Sequence, residues 1–226
     1  MQETQQEKGS EFLSIDLEHI RKQAMAACAA QFERIDAICL HNTQKVLQAY
    51  RECQISSYQF AGTSGYGYSD MGREKLDEVF AHVFKAEKAL VRPHFVSGTH
   101  ALATVLCALL QHGDTMISLI GAPYDTMQSV IGYAHETPHS LKEKGVIYDE
   151  VPLKDNAYDL DGIREKVGAA QPKLVLIQRS RGYSTRASLK ISDIREIIQT
   201  VKAISPQTIC FVDNCYGEFA AEEEPI

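Results

Sequence analysis

The stretch VSGTHALATVLCALL, residues 96–110, begins as a small polar turn and continues as an apolar helix. Apolar residues recur there at helical spacing, namely Leu102, Val105, Leu106, Leu109 and Leu110. Ser97 can cap this helix, and Gly98 lets a ligand approach the backbone because it has no side chain. Free N–H groups and the helix dipole favour an anion at Ser97-Gly98-Thr99-His100, a candidate phosphate turn. An ordinary capped helix start explains the same turn when it is taken alone.

Short apolar runs alternate with helical stretches along most of the chain. The runs are residues 89–91, 115–120, 145–148, 174–177 and 208–212, and the later helices are residues 99–111, a weak stretch after 125, 160–167 and 192–204. This alternation predicts an α/β fold, a three-layer sandwich with a mostly parallel sheet covered on both faces. Ligands of such sheets bind at the carboxyl ends of the strands.

The N-terminal part has a different pattern. Apolar residues near helical spacing predict a helix from Ser14 to Tyr50, and residues 73–84 predict another. Between them lies FAGTSGYGYSDMG, residues 60–72, which is rich in glycine and reads as a loop. We therefore divide the chain into a helical arm, residues 1–60, and a large domain, residues 61–226.

Composition excludes several classes of function. The formal net charge of -7 argues against a nucleic-acid partner. No apolar run is long enough to span a bilayer, and the polar N-terminus lacks the pattern of a signal peptide. The six cysteines have no metal-ligand spacing and predict reduced, mostly buried thiols. We expect a cytoplasmic protein with no membrane contact and no metal site.

Three further strand ends carry residues suited to a flat, charged ligand. Asp213 follows a buried strand, where a carboxylate needs a cation or a donor such as a protonated ring nitrogen. Tyr124 follows another and can stack on a ring. Arg179, Arg181 and Arg186 follow a third and can bind carboxylate or phosphate. A turn aspartate, a packing tyrosine and a solvated basic loop are the respective alternatives.

Several motifs together resemble one family. GTSGYGYSDMGRE, VSGTHA, GAPYDT, QRSRGYSTRASL and FVDNCYGEF resemble the methionine gamma-lyase-like proteins often called aluminium-resistance proteins. These are relatives of the Cys/Met-metabolism enzymes that depend on pyridoxal 5'-phosphate (PLP). The resemblance runs from about residue 14 to the end and implies a partial PLP-binding large domain of fold type I.

The resemblance also implies roles for single residues. Ser97, Gly98 and Thr99 would hold the PLP phosphate, Tyr124 would stack on the pyridine ring, and Asp213 would pair with the pyridine N–H. Arg181, together with Arg179, would lie near the cofactor or the substrate carboxylate.

A second group of residues concerns a neighbouring subunit. Tyr66 lies where relatives use a tyrosine from that subunit to reach the phosphate. Relatives have an arginine two residues later, where this chain has Tyr68, and Arg73 is a candidate replacement. The resemblance thus implies a homo-oligomer, dimer or tetramer.

The implied activity is a PLP-dependent carbon–sulfur lyase that acts on an amino acid of the cystathionine, cysteine or methionine type by beta- or gamma-elimination. An aminotransferase, a decarboxylase and a non-catalytic PLP-binding protein are the alternatives. The Schiff-base lysine of this fold follows the aspartate strand, and no lysine follows Asp213 before Ile226. We therefore expect the catalytic lysine beyond Ile226 and interpret the chain as an N-terminal fragment, inactive alone.

Overall fold

Helices cover both faces of a parallel sheet in a computed structural model that describes residues 16–66, 68, 70–135 and 137–226. In chain order the helices are α1 (Leu17–Ala27), α2 (Ala29–Glu52), α3 (Met71–Val83), α4 (Gly98–Leu109), α5 (Asp125–Ile131), α6 (Leu160–Ala170) and α7 (Ile191–Ile204). The strands are β1 (Thr115–Ser118), β2 (Ile147–Glu150), β3 (Leu174–Gln178) and β4 (Ile209–Asp213). The sheet has the order β2-β1-β3-β4, and every pair is parallel.

Side chains of β3 alternate between two buried clusters. Leu174 and Leu176 belong to a cluster that includes Leu106 of α4 and Met127 of α5. Val175 and Ile177 belong to the opposite cluster, which also contains the following residues of α6 and α7: Ile163, Val167, Ile194, Ile197 and Val201. Because successive strand residues point to opposite faces, α4 and α5 cover one face and α6 and α7 the other. The predicted three-layer α/β fold is confirmed.

The predicted strand at residues 89–91 is wrong. No strand covers that segment, and Leu90 is largely exposed. The backbone N–H of Val91 donates instead to Asp77 Oδ1 of α3 at 2.8 Å, and Arg92 Nη1 lies 2.7 Å from the same oxygen. The Asp77 side chain of α3 therefore accepts the hydrogen bond that a carbonyl group of a neighbouring strand would otherwise have accepted.

The single helix predicted from Ser14 to Tyr50 is two helices. The break falls at Cys28, which ends α1 and precedes α2. A short 3-10 helix, Ser57–Phe60, completes the arm. The first 15 residues of the arm, including Ser14, lie outside the described residues. Within the chain α1 has no buried residue, whereas Ala49 of α2 and Cys53 pack against Val79 and Val83 of α3. Asn42 of α2 donates to the Phe219 and Ala221 carbonyls, so the arm contacts the large domain through the second half of α2.

The cysteines are less buried than predicted. Cys53 is buried and Cys210 half-buried, whereas four are exposed, namely Cys28, Cys39, Cys107 and Cys215. Cys28 and Cys39 are exposed because the arm helices that carry them are themselves mostly uncovered. None of the helices in the described ranges combines the length and the apolar character that a membrane crossing requires.

Candidate active site

The turn before α4 presents free backbone donors. Ser97 is extended, with φ −160° and ψ 163°, and its Oγ accepts from the N–H of His100 at 3.1 Å. The N–H groups of Gly98 and Thr99 precede the first intrahelical bond of α4, so they have no helical acceptor. A Cβ built on Gly98 would meet no atom within 4 Å, so the space beside this turn is open.

Three hydroxyl groups lie next to this turn. Thr99 Oγ1 is 3.0 Å from the Tyr124 hydroxyl and 2.9 Å from Thr126 Oγ1. Tyr124 immediately precedes α5 and is half-buried against the cluster of Leu106. Sequence reasoning missed Thr126, although it follows Tyr124 by two residues in the quoted GAPYDT motif. The hydroxyl chain joins the start of α4 to the start of α5.

Asp213 is a buried carboxylate at the end of β4. It is 6% exposed, and its Oδ1 accepts from the N–H of Cys215 at 3.0 Å. Burial raises the pKa of the Asp213 carboxyl group because the charged form loses water; the Cys215 N–H opposes this rise and the negative Glu218 adds to it. No ion pair found in the described part of the chain supplies Asp213 with a cation.

Gln178 binds Tyr124 and lies beside Asp213 in the sheet. It ends β3 and is the register partner of Asp213. Its Oε1 accepts from the N–H of Tyr124 at 3.0 Å, and its Nε2 donates to the Ser180 carbonyl at 3.0 Å. Sequence reasoning passed over Gln178, although a polar residue directly after the apolar run 174–177 was a visible signal.

Strand alternation places Gln178 and Asp213 on the face that α4 and α5 cover. Gln178 lies two residues after Leu176, which is on that face, and Asp213 lies two residues after Phe211, which packs against the same cluster. Hydrogen bonds join the phosphate turn, the hydroxyl chain and Gln178 at the carboxyl edge, and Asp213 joins this connected set only through its strand register with Gln178. The structure brings together Ser97, Gly98, Thr99, Tyr124 and Asp213 in this way.

The three arginines after β3 have different environments. Arg179 is buried, and its Nη1 donates to Asn214 Oδ1 at 2.7 Å and to the Gly217 carbonyl at 2.8 Å. Arg179 therefore holds the turn that follows Asp213. Arg181 is exposed, and its side chain takes part in no hydrogen bond between described residues.

Arg186 is also buried. Its Nη2 donates to the Gln178 carbonyl at 2.9 Å, and its Nη1 donates to the Ala187 carbonyl at 2.9 Å. Burial lowers the pKa of its guanidinium because a charged group is poorly solvated there. Its observed contacts support the end of β3.

The residues predicted to serve a neighbouring subunit lie on the surface. Tyr66 is 82% exposed and Tyr68 is 85% exposed. Arg73 Nε lies 3.4 Å from Asp70 Oδ2 at the start of its own helix. No hydrogen bond between described residues joins Tyr66 to the hydroxyl chain, so a single chain does not bring it into the connected set.

The connected set fits a ligand with an anionic group and a flat cationic ring. The turn offers backbone donors and open space, while Asp213 is a buried carboxylate that needs a positive partner. In the described residues, no three His, Cys, Asp or Glu side chains gather into a metal-binding cluster. Fold and site thus define an α/β protein with a candidate site for such a ligand at the carboxyl edge of its sheet.

The chain belongs to the methionine gamma-lyase family, whose model matches residues 17–226. The suspected family resemblance is confirmed. The uncharacterised protein YnbB of Bacillus subtilis (strain 168) is 41% identical over 213 residues, which are 92% of this chain and 50% of YnbB. This chain therefore spans about half the length of that curated relative.

Solved structures agree with this assignment. The carbon–sulfur lyase involved in aluminium resistance from Clostridium novyi NT is 45% identical, with a TM-score of 0.87 over 92% of this chain and 50% of that one. The pyridoxal-5'-phosphate-dependent protein YhfS from Escherichia coli is 19% identical, with a TM-score of 0.56 over 78% of this chain and 45% of that one, and shows the shared fold alone. Membership of the methionine gamma-lyase family implies PLP as the cofactor.

Proposed function

We propose that this chain provides the PLP-binding half of a carbon–sulfur lyase that acts on an amino acid of the cystathionine, cysteine or methionine type. One observation carries the proposal. The phosphate turn at Ser97–Thr99 and the buried Asp213, which has no cationic partner in the described residues, lie at one edge and on one face of the sheet.

Different residues of the site would bind different parts of the cofactor. The N–H groups and hydroxyls of Ser97, Gly98 and Thr99 would bind its phosphate. Tyr124 would pack against its ring, and Asp213 would accept from the ring N–H. When bound, the cofactor supplies an electron sink for the pair that is released at the substrate Cα.

Asp213 has a definite electrostatic role in this proposal. In the protein alone its charged form is disfavoured by burial. A protonated ring nitrogen beside it would reverse that effect, since an opposite charge at close range favours the carboxylate. The carboxylate in turn would keep the ring nitrogen protonated. Tyr124 would add an apolar surface that excludes water from this pair.

The remaining predictions about the whole protein stay proposals. The Schiff-base lysine is expected after Ile226, and Arg181 is proposed to approach the cofactor or the substrate carboxylate. A homo-oligomer, dimer or tetramer, would bring Tyr66 to the site of a neighbouring subunit. The exposed apolar side chains of the arm favour such an assembly, for example Ile20, Phe32 and Ile35. A cytoplasmic location also stays a prediction.

The test of the activity uses the complete product of the reading frame, reconstituted with PLP. It is incubated separately with cystathionine, cysteine and methionine, and keto acid is measured. Keto acid formed without an amino acceptor supports the lyase. Product that depends on an added keto acid favours an aminotransferase, carbon dioxide release favours a decarboxylase, and bound PLP without turnover favours the non-catalytic alternative.

A further inference from the structure

We infer that Gln178 is a positioning residue that fixes the ring-stacking Tyr124 relative to Asp213. The inference rests on the proposed function, since it concerns the same PLP site. It assigns to Gln178 no contact with the reacting atoms. Its side chain acts through the two residues that would touch the cofactor ring.

The first observation is the use of both ends of the Gln178 amide. Gln178 is 7% exposed, so its polar atoms need partners within the protein. Oε1 accepts from the N–H of Tyr124, and Nε2 donates to the carbonyl of Ser180. Those partners lie in different connections, one between β1 and α5 and the other after β3. A single amide therefore joins two loops of the site.

The second observation is that the two loops lie near each other beside Gln178. A Cβ built on Gly182 would lie 3.5 Å from Gln178 Nε2 and 3.9 Å from the Cβ of Tyr124. Gly182 has φ +56°, a conformation that favours glycine. The donation from Gln178 to Ser180 holds this loop close.

The third observation is that Tyr124 is held at both ends. Gln178 binds its backbone N–H, and Thr99 Oγ1 lies 3.0 Å from its hydroxyl. A tyrosine fixed at both ends keeps its ring in one orientation. Because Gln178 is also the register partner of Asp213, its position ties that ring to the carboxylate through the backbone of the sheet.

The test uses the complete reading-frame product reconstituted with PLP. The readouts are the PLP dissociation constant, the induced circular dichroism per bound PLP and the melting temperature without PLP. Gln178→Met preserves the length of the side chain but leaves the Tyr124 N–H without its acceptor. We expect about tenfold weaker PLP binding and an altered circular dichroism signal per bound cofactor.

Gln178→Glu separates the two contacts. Its carboxylate can still accept from Tyr124 but cannot donate to Ser180. We expect it to retain most of the wild-type circular dichroism signal, and it keeps the test decisive if Gln178→Met does not fold. The positioning role would be overturned if the circular dichroism signal per bound PLP changed as much in Gln178→Glu as in Gln178→Met. If Gln178→Met does not fold, loss of the wild-type signal in Gln178→Glu would overturn it.

Thr208→Val is the matched control. Thr208 is also buried and polar, and its hydroxyl donates to the Pro172 carbonyl at 2.7 Å at the opposite edge of the sheet. It should lower the melting temperature while leaving PLP affinity and the signal unchanged.

Two further results would count against the inference. If wild type binds PLP and Gln178→Met keeps its affinity and signal, the inference fails alone. If wild type binds no PLP, the proposed function fails and the inference fails with it.

Discussion

Gln178 and Asp213 are register partners at the ends of two neighbouring strands, and both side chains lie on the sheet face that α4 and α5 cover. Gln178 has both ends of its amide satisfied, whereas Asp213 accepts one N–H and is otherwise a buried acid without a cation in the described residues. A protein keeps such a carboxylate at a cost, because burial disfavours its charged form. The pair thus places an amide with two hydrogen-bond partners beside a buried acid that has no cation in the described residues.

Gly98→Ala should weaken PLP binding by about tenfold or more without lowering stability. An added Cβ meets no protein atom within 4 Å but would enter the space beside the phosphate turn. The matched control is Gly168→Ala in α6, where the added Cβ makes an ordinary contact of 3.8 Å with Ile204. PLP titration and thermal unfolding measure the two effects. Unchanged PLP affinity in Gly98→Ala would place the phosphate elsewhere.

Thr99→Val and Tyr124→Phe should not be additive. Each removes one partner of the 3.0 Å hydroxyl contact, so we expect a coupling free energy of about 1 kcal/mol between them in denaturant unfolding. Thr104→Val serves as the control, because its hydroxyl donates to the His100 carbonyl in α4 instead. Additive effects of Thr99→Val and Tyr124→Phe would show that the contact contributes nothing.

Tyr66→Ala and Asp213→Ala should complement each other when the two complete proteins are mixed and reassembled. If Tyr66 serves the partner's site, a mixed dimer has one site with both native residues. Random reassortment then restores about a quarter of wild-type activity, although each variant alone is nearly inactive. Mixing Asp213→Ala with Gly98→Ala is the control. Both residues lie in one chain's site, so mixing restores no intact site and should add no activity to that of the two proteins assayed separately. No recovery in the Tyr66 mixture would contradict the shared site.

Asp77→Asn should destabilise the protein at pH 7 by about 1 kcal/mol, because the exchange weakens the bonds to Arg92 and to the Val91 N–H. The Arg92 guanidinium holds the pKa of the Asp77 carboxyl below its usual value. A lowered pKa means that this stabilisation is complete above the usual carboxyl range and is lost as pH falls through the lowered value. Denaturant unfolding from pH 7 to pH 3 measures it. A difference between variant and wild type that stays constant with pH would contradict the ion pair.

The layers of the fold could be predicted from the sequence because each strand and helix is marked by a pattern of apolar residues within its own segment. Each residue of β3 is buried, and its apolar run stands out between polar segments. The order of phosphate turn, aromatic and strand-end aspartate likewise follows from positions after apolar runs. The failed strand at residues 89–91 has a non-local cause, since the Asp77 side chain lies 14 residues before the Val91 N–H that it binds.

The sequence alone could not show which of the three arginines after β3 are buried and which is exposed. Arg179, Arg181 and Arg186 look alike in a charged run, but the structure buries two of them against carbonyls and leaves Arg181 exposed. Gln178 and Thr126 were missed for a related reason. Their partners, Tyr124 and Thr99, are distant in the chain and become neighbours only when parallel strands and their helices align.

The central claim is that Asp213 pairs with the ring nitrogen of PLP. The most direct measurement is the nitrogen NMR shift of PLP labelled with ¹⁵N in the ring and bound to the complete protein, in the wild type and in Asp213→Asn. Asparagine keeps the shape and can still accept from the Cys215 N–H. We predict a protonated ring nitrogen in the wild type and its loss in Asp213→Asn. An unprotonated nitrogen in the wild type, or the same shift in both proteins, would contradict the account.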